Sequence, residues 1–305
     1  MTDAPFCAEV SKQLGEPVLG TASKDGVRFL LLEYGEAWGH DALGASDLPD
    51  GVKTRLRVAA NAFERTRIGL VKPPGRERAR PRIYVTGGPV RGDRVLVRDL
   101  SSYESLIDAP LEALLAGDES AATEVLDRPL VLVCTHGKRD RCCARLGVAM
   151  VEALSEEQGL FVLQASHLGG HRFAAVVLTL PDAITYGHLD ASDAPGLAAA
   201  IRERRLYDPA RFRGITGYDE PAQVADGTIR IARGLANDAP LSLVSITKGP
   251  RGATVRMRLG DEIIETIVGA RPLPLLLRPS SCFEEPTASY TFDVSPGDAA
   301  QSPTT

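Results

Sequence analysis

Two short stretches of the chain hold the residues best suited to chemistry. CTHGKRDRCC, from position 134, carries Cys134, Cys142 and Cys143, and SHLGGHRF, from position 166, carries His167 and His171. Cys134 and Cys143 lie nine positions apart and the two histidines four. Thiolates and neutral imidazoles are metal ligands, and C-x8-C followed by H-x3-H has the composition of a Cys2His2 cage. The cysteine spacing exceeds the roughly two to four residues usual in zinc fingers. Two cysteines and two histidines are also the ligands of a Rieske iron–sulfur centre. Cys134-Thr135-His136 matches half of a Rieske box, but no histidine follows Cys142 or Cys143 in the matching place, so His136 is the weaker ligand candidate. The plain alternative is that Cys134 and Cys143 are small core residues, since free cysteine is often buried.

These side chains need elements to aim them. PLVLVC (129–134) reads as a buried strand, 142–158 as an amphipathic helix, and GLFVLQAS (159–166) as the next strand. Cys134 therefore stands at a strand–loop–helix joint on the carboxyl edge of a parallel sheet, where α/β folds place ligands. At about 100° per residue, Arg141, Arg145, Glu152, Ser155 and Glu156 gather on one side of the helix. Cys143 falls opposite them, in line with Met150 and Leu154, and Cys142 falls on the flank. Cys143 is the inward sulfur, in a first turn where free N–H groups favour a thiolate. Cys142 reads as a bystander, and Cys7 and Cys282 as structural residues without polar partners in sequence. Gly169 and Gly170 disfavour a helix between the histidines. They predict a tight loop before a strand over 172–180, with close backbone approach permitted.

The rest of the chain extends the same α/β alternation. A short helix is expected within 1–16, a strand at 28–34 and a helix over 45–63 capped by Ser46. Strands follow at 65–72, 82–86 and 94–100, with a polar loop, PPGRERARP, between the first two, and then a helix over 101–117 ended by Gly117. This is a first α/β unit, 1–125, and the second, 126–238, closes with helices at 194–206 and 220–236. The two units could be distant structural duplicates. Glycine turns divide 241–270 into a small antiparallel β element, assigned to 239–290, and 291–305 has the composition of a disordered tail. Trp38 and His40 are the unusual residues of the first unit, with packing as the expected role.

The bulk numbers exclude several classes. An apolar fraction of 44 % and a charged fraction of 25 % are those of a soluble globular protein. A net charge of -5 argues against non-specific binding to nucleic acid or acidic membranes. FLLLEY and PLPLLLRP are too short to span a bilayer, and the first residues lack the pattern of a secretory signal. Five cysteines, an odd number, do not read as a disulfide framework. Together these predict a cytoplasmic protein with reduced thiols.

CTHGKRDRCCARLG, SHLGGHRF, LPDAITYGHLD and GTASKDGVRFLLLEYGEAWG resemble the sucrase/ferredoxin-like family over roughly 15–285. The resemblance implies a thioredoxin-like ferredoxin domain over 126–238, preceded by a second α/β domain that is a candidate for the same fold. It implies a [2Fe-2S] cluster on Cys134, Cys143, His167 and His171, with Cys142 a departure that leaves a second thiol beside the inferred ligand. The function that follows is a soluble electron-transfer protein or redox enzyme component, with one-electron chemistry coupled to the imidazole protons and a redox protein as partner. Lys138, Arg139, Arg141, Arg145 and Arg172 would favour the reduced state and could dock an acidic donor. Two alternatives stand: a structural zinc protein with the same four ligands, and a carbohydrate hydrolase, as the family's name suggests. The latter needs a carboxylate pair, and none of the 40 acidic residues sits in a motif that singles it out.

Overall fold

The computed structural model describes residues 6–75, 80–86 and 94–297. Residues 1–5, 76–79 of the expected polar loop, and 298–305 of the expected tail lie outside them.

The chain begins with α1 (Cys7–Gln13) and β1 (Arg28–Glu33). In β1, RFLLLE, side chains point alternately to opposite faces, and both faces are covered. Phe29 and Leu31 join one core, while Leu30 and Leu32 join another. The second core is filled by α2 (Asp50–Asn61) through Val52, Leu56 and Ala59, which recur at helical spacing. Each fully buried leucine there stabilises the fold by about 2 kcal/mol. Pro49 precedes α2 and no side chain caps it, so Ser46 is not the cap the sequence suggested; its hydroxyl donates to Leu43 O instead. β2 (Thr66–Lys72), β3 (Arg82–Thr86) and β4 (Val95–Asp99) follow as expected. The helix expected over 101–117 is broken. A 3-10 turn at Glu104–Leu106 and the short α3 (Leu111–Leu115) are separated at Pro110, whose missing N–H cannot continue a helix. β5 (Glu124–Val125) ends the first half.

The second half runs β6 (Leu130–Cys134), α4 (Arg141–Ser155), β7 (Phe161–Ala165), β8 (Val177–Leu180), β9 (Ile184–Tyr186), α5 (Ala194–Arg202), β10 (Phe212–Ile215) and α6 (Glu220–Arg233). The strand expected from 172 starts later, because His171–Phe173 form a 3-10 turn. All ten strands make one mixed sheet in the order β10-β9-β8-β6-β7-β2-β1-β3-β4-β5. Its halves repeat one plan. β1 is parallel to β2 and antiparallel to β3, and β6 is parallel to β7 and antiparallel to β8. The two halves thus share one strand arrangement, a possibility the sequence had left open, and they meet where β2 pairs antiparallel with β7.

A separate four-stranded antiparallel sheet, β11 (Leu241–Gly249), β12 (Gly252–Leu259), β13 (Glu262–Pro279) and β14 (Pro286–Pro296), packs on α6 through Val224, Ile229, Val255 and Met257. β14 carries ordered strand past position 291, into the stretch expected to be tail. Among the described residues no helix is long and apolar enough to cross a membrane.

Candidate functional site

Cys134 ends β6, and Cys143 is the third residue of α4. Because β6 and β7 are parallel, Cys134 stands beside Ala165, and the histidine loop leaves the sheet next to it. The helix lies unusually close to the strand end at Gly147, where a Cβ would sit 2.0 Å from Cys134 O. This closeness brings the two sulfurs together, both of them buried. The hydrogen bond from Cys143 holds the Cys134 thiol well below its ordinary range despite burial, with the His167 ring and the His136 and Leu168 amides adding to the effect. The same bond, with burial, pushes Cys143 well above its ordinary range.

His167 and His171 bring their rings to 5.1 Å, tilted by 36°. Both side chains are half-buried, yet the Nδ1 atom of each is fully buried and has no hydrogen-bond partner among the described residues. Burial draws the His171 pKa down. Leaving a buried polar atom unpaired costs about 1–3 kcal/mol, so two such nitrogens on adjacent rings point to a ligand. Gly169 and Gly170 take φ of 95° and 69°, the left-handed conformation that makes the loop tight.

The loop is held largely from the first half of the chain. Arg67 Nη2 donates to His167 O. Arg213, fully buried, donates from Nη1 to Gly169 O at 3.0 Å and from Nε to Thr21 Oγ1 at 3.0 Å. Burial lowers its pKa to about 9, which still leaves it charged at neutral pH. His136 donates from Nε2 to Gly39 O at 2.7 Å and accepts the His167 N–H on Nδ1 at 3.2 Å. A carbonyl on one side and an amide on the other fix the neutral Nε2–H tautomer. With both ring nitrogens engaged, His136 positions His167. Ser166 Oγ accepts the Leu70 N–H of β2 at 3.0 Å. The first half, which showed no chemical motif in sequence, therefore braces the loop.

His167 and His136 line a cavity of about 410 Å³ with Asp41, Arg57, Arg67 and Arg139. A second cavity, of about 800 Å³, lies against Trp38, Lys72, Lys138, Arg141 and Gln164. Trp38 is buried and packs edge-on to His136, as expected of a packing residue, whereas His40 is exposed and meets Arg139. Lys138 and Arg145 are exposed, while Arg172 is drawn to the buried Glu16 at 2.9 Å and so leaves the basic rim.

The remaining three cysteines are not the isolated residues their sequence positions suggested. Cys142 Sγ lies 3.4 Å from Cys7 Sγ and 3.2 Å from Cys282 Sγ, and Cys7 and Cys282 are 3.6 Å apart. Asp140, the N-cap of α4, joins them. Cys142 faces this group, and Cys143 faces Cys134, so the neighbouring thiols serve two different places. Positions 7 and 282 share no local pattern with position 142. The one available signal was Asp140 directly before the helix, in the place an N-cap occupies.

Fold and site together describe a mixed α/β protein with buried thiols and half-buried imidazoles near the junction of two similar half-sheets. The pattern of the sucrase/ferredoxin-like family matches residues 20–214, more than half of the 305, and the chain belongs to that family. No curated protein matches it. A solved thioredoxin-like [2Fe-2S] ferredoxin from Aquifex aeolicus is similar at 17 % identity over 25 % of this chain and 80 % of its own, with a TM-score of 0.22.

Proposed function

We propose that Cys134, Cys143, His167 and His171 hold a [2Fe-2S] cluster, and that the protein carries electrons or serves a redox enzyme. The observation that carries this reading is the pair of buried, unpartnered Nδ1 atoms on adjacent rings beside a thiol pair. A single tetrahedral zinc draws its donors to within about 3.3–3.8 Å of one another, given metal–ligand lengths of about 2.0–2.3 Å. Among the described residues, the compact group of this kind is Cys7, Asp140, Cys142 and Cys282, whose donor atoms all lie within 4.8 Å of one another. A thiol pair beside an imidazole pair is the ligand set of a Rieske-type cluster, two sulfurs for one iron and two nitrogens for the other.

Such a cluster, when bound, supplies one-electron transfer at a potential above that of all-cysteine ferredoxins, because two neutral imidazoles replace two thiolates. The chain's own residues complete the function. Arg213 places a fixed positive charge behind the loop, favouring an added electron. Ligation through Nδ1 leaves Nε2 of each half-buried ring to hold or release a proton, and His167 does so beside the 410 Å³ cavity. Lys138, Arg139 and Arg141 would form a basic rim for an acidic redox partner, with Arg145 held by Glu9 at 3.1 Å. The hydrolase reading gains no support, since neither cavity beside the site presents a carboxylate pair.

Iron and acid-labile sulfide analysis of anaerobically purified protein tests the proposal. Two of each per chain, with a Rieske-type resonance on reduction, are expected. His167→Ala/His171→Ala should abolish both, and His167→Cys/His171→Cys should retain iron at a potential lower by several hundred millivolts. Colourless protein holding zinc at these residues, or iron content unchanged in the alanine variant, overturns it.

A further inference from the structure

The second thiol group is built as a site in its own right. Cys7 opens α1, Cys142 is the second residue of α4, and Cys282 sits in the turn between β13 and β14. Three segments far apart in the chain thus deliver one sulfur each. Their separations of 3.2–3.6 Å are close to the edge of about 3.8 Å that zinc–sulfur bonds of about 2.3 Å produce in a tetrahedron. Both Asp140 oxygens lie 3.8 Å from Cys7 Sγ. Each takes a backbone N–H, Oδ1 from Cys142 at 2.9 Å and Oδ2 from Cys282 at 2.8 Å, so the carboxylate is aimed and keeps free lone pairs. The sulfurs themselves accept N–H groups, Cys142 from Ala8 at 3.4 Å and Cys282 from Cys7 at 3.5 Å. Amide donors of this kind stabilise thiolates. Three of the four residues are buried and Cys282 is half-buried, which leaves no open position of the sort catalytic metals keep.

We propose that Cys7, Asp140, Cys142 and Cys282 form a closed Cys3Asp site for one thiophilic divalent cation of the zinc class, separate from the cluster ligands. All four donors fit within 4.8 Å of one another, the compactness a mononuclear site needs. Three thiolates select zinc-like ions over magnesium or calcium. Three thiolates and a carboxylate on a dication leave two negative charges, offset by the α4 N-terminus and the N–H···S bonds. The ion clamps α1 and the β13–β14 turn onto the start of α4, so its role is structural. Binding displaces thiol protons, so affinity falls as pH falls.

Protein expressed with zinc should contain one zinc per chain beside its iron, with an X-ray absorption shell of three sulfurs and one oxygen. After chelation, Co²⁺ should restore a tetrahedral thiolate–cobalt spectrum. Cys7→Ser/Cys282→Ser should lose the zinc and the cobalt spectrum while keeping two irons and two sulfides per chain. Should that variant fail to fold, the absorption shell of the unaltered protein decides. A zinc shell without sulfur, or a Cys7–Cys142 or Cys142–Cys282 disulfide in the purified protein, overturns the proposal. So does loss of iron with zinc retained in the serine variant, which would place these thiols in the iron site.

Discussion

Acid should destabilise this protein well above the carboxylate range, through His188. The residue follows β9 in a left-handed conformation, φ 54°, and is only 6 % exposed. Its Nε2 lies 3.0 Å from Ser11 Oγ and 3.3 Å from Arg172 O, and its N–H donates to Phe173 O at 2.7 Å. It thus ties α1 to the turn that carries His171. Burial lowers its pKa to about 4, against the Arg172 carbonyl and Glu16, which favour the charged form. In the unfolded chain the value is about 6.5. Between these two values the unfolded state binds a proton that the folded state refuses, so stability rises with pH and is lost as pH falls from about 6.5 toward 4. At about 1.36 kcal/mol per unit the full loss is roughly 3 kcal/mol, of which roughly 2 kcal/mol is gone by pH 5. His188→Asn removes the titration and suits the left-handed backbone. Urea unfolding of both proteins at pH 7.5 and pH 5 measures the difference. Glu16, whose pKa is lowered from 4.5 by Arg172, Ser11 and Arg278 despite burial, begins to lose its stabilisation only below the pH 5 measurement, and the other histidines cancel between the two proteins. Equal losses on acidification in both proteins would refute the reasoning.

Two further substitutions probe the framework. Gly147→Ala places a methyl 2.0 Å from Cys134 O, so α4 must lift from β6 at a cost of about 1–3 kcal/mol, and thermal unfolding should show the loss. Arg230 Nε and Asp226 Oδ2 pair at 2.8 Å with both side chains fully buried, so Arg230→Met removes the cation that balances a buried carboxylate and should cost about 3–5 kcal/mol by urea midpoint, partly recovered in Arg230→Met/Asp226→Asn.

The strands of both halves were legible because RFLLLE and LVLVC are unbroken apolar runs, as strands covered on both faces must be. The side of α4 that faces the sheet followed from projection alone, because Cys143, Met150 and Leu154 share one stripe. The tight histidine loop followed from its two glycines. What failed was local. Pro110 divided a helix whose apolar rhythm ran on through it, and a 3-10 turn claimed His171–Phe173 from the following strand. What stayed hidden was non-local. Nothing near Cys7 or Cys282 announces that 275 positions of chain return one to the other, and no pattern in β2 marks Arg67 as a donor to His167 O. Such contacts belong to sheet order, which periodicity does not encode.

The bracing of the histidine loop by Arg67, Gly39 and Thr21 bears on how the molecule can be divided. An excised fragment covering 126–238 would keep all four proposed cluster ligands and lose the groups that orient two of them. It would also leave behind Cys7 and Cys282. The smallest piece able to behave like the whole therefore reaches from α1 to the β13–β14 turn, and dissection by truncation would report on a different object.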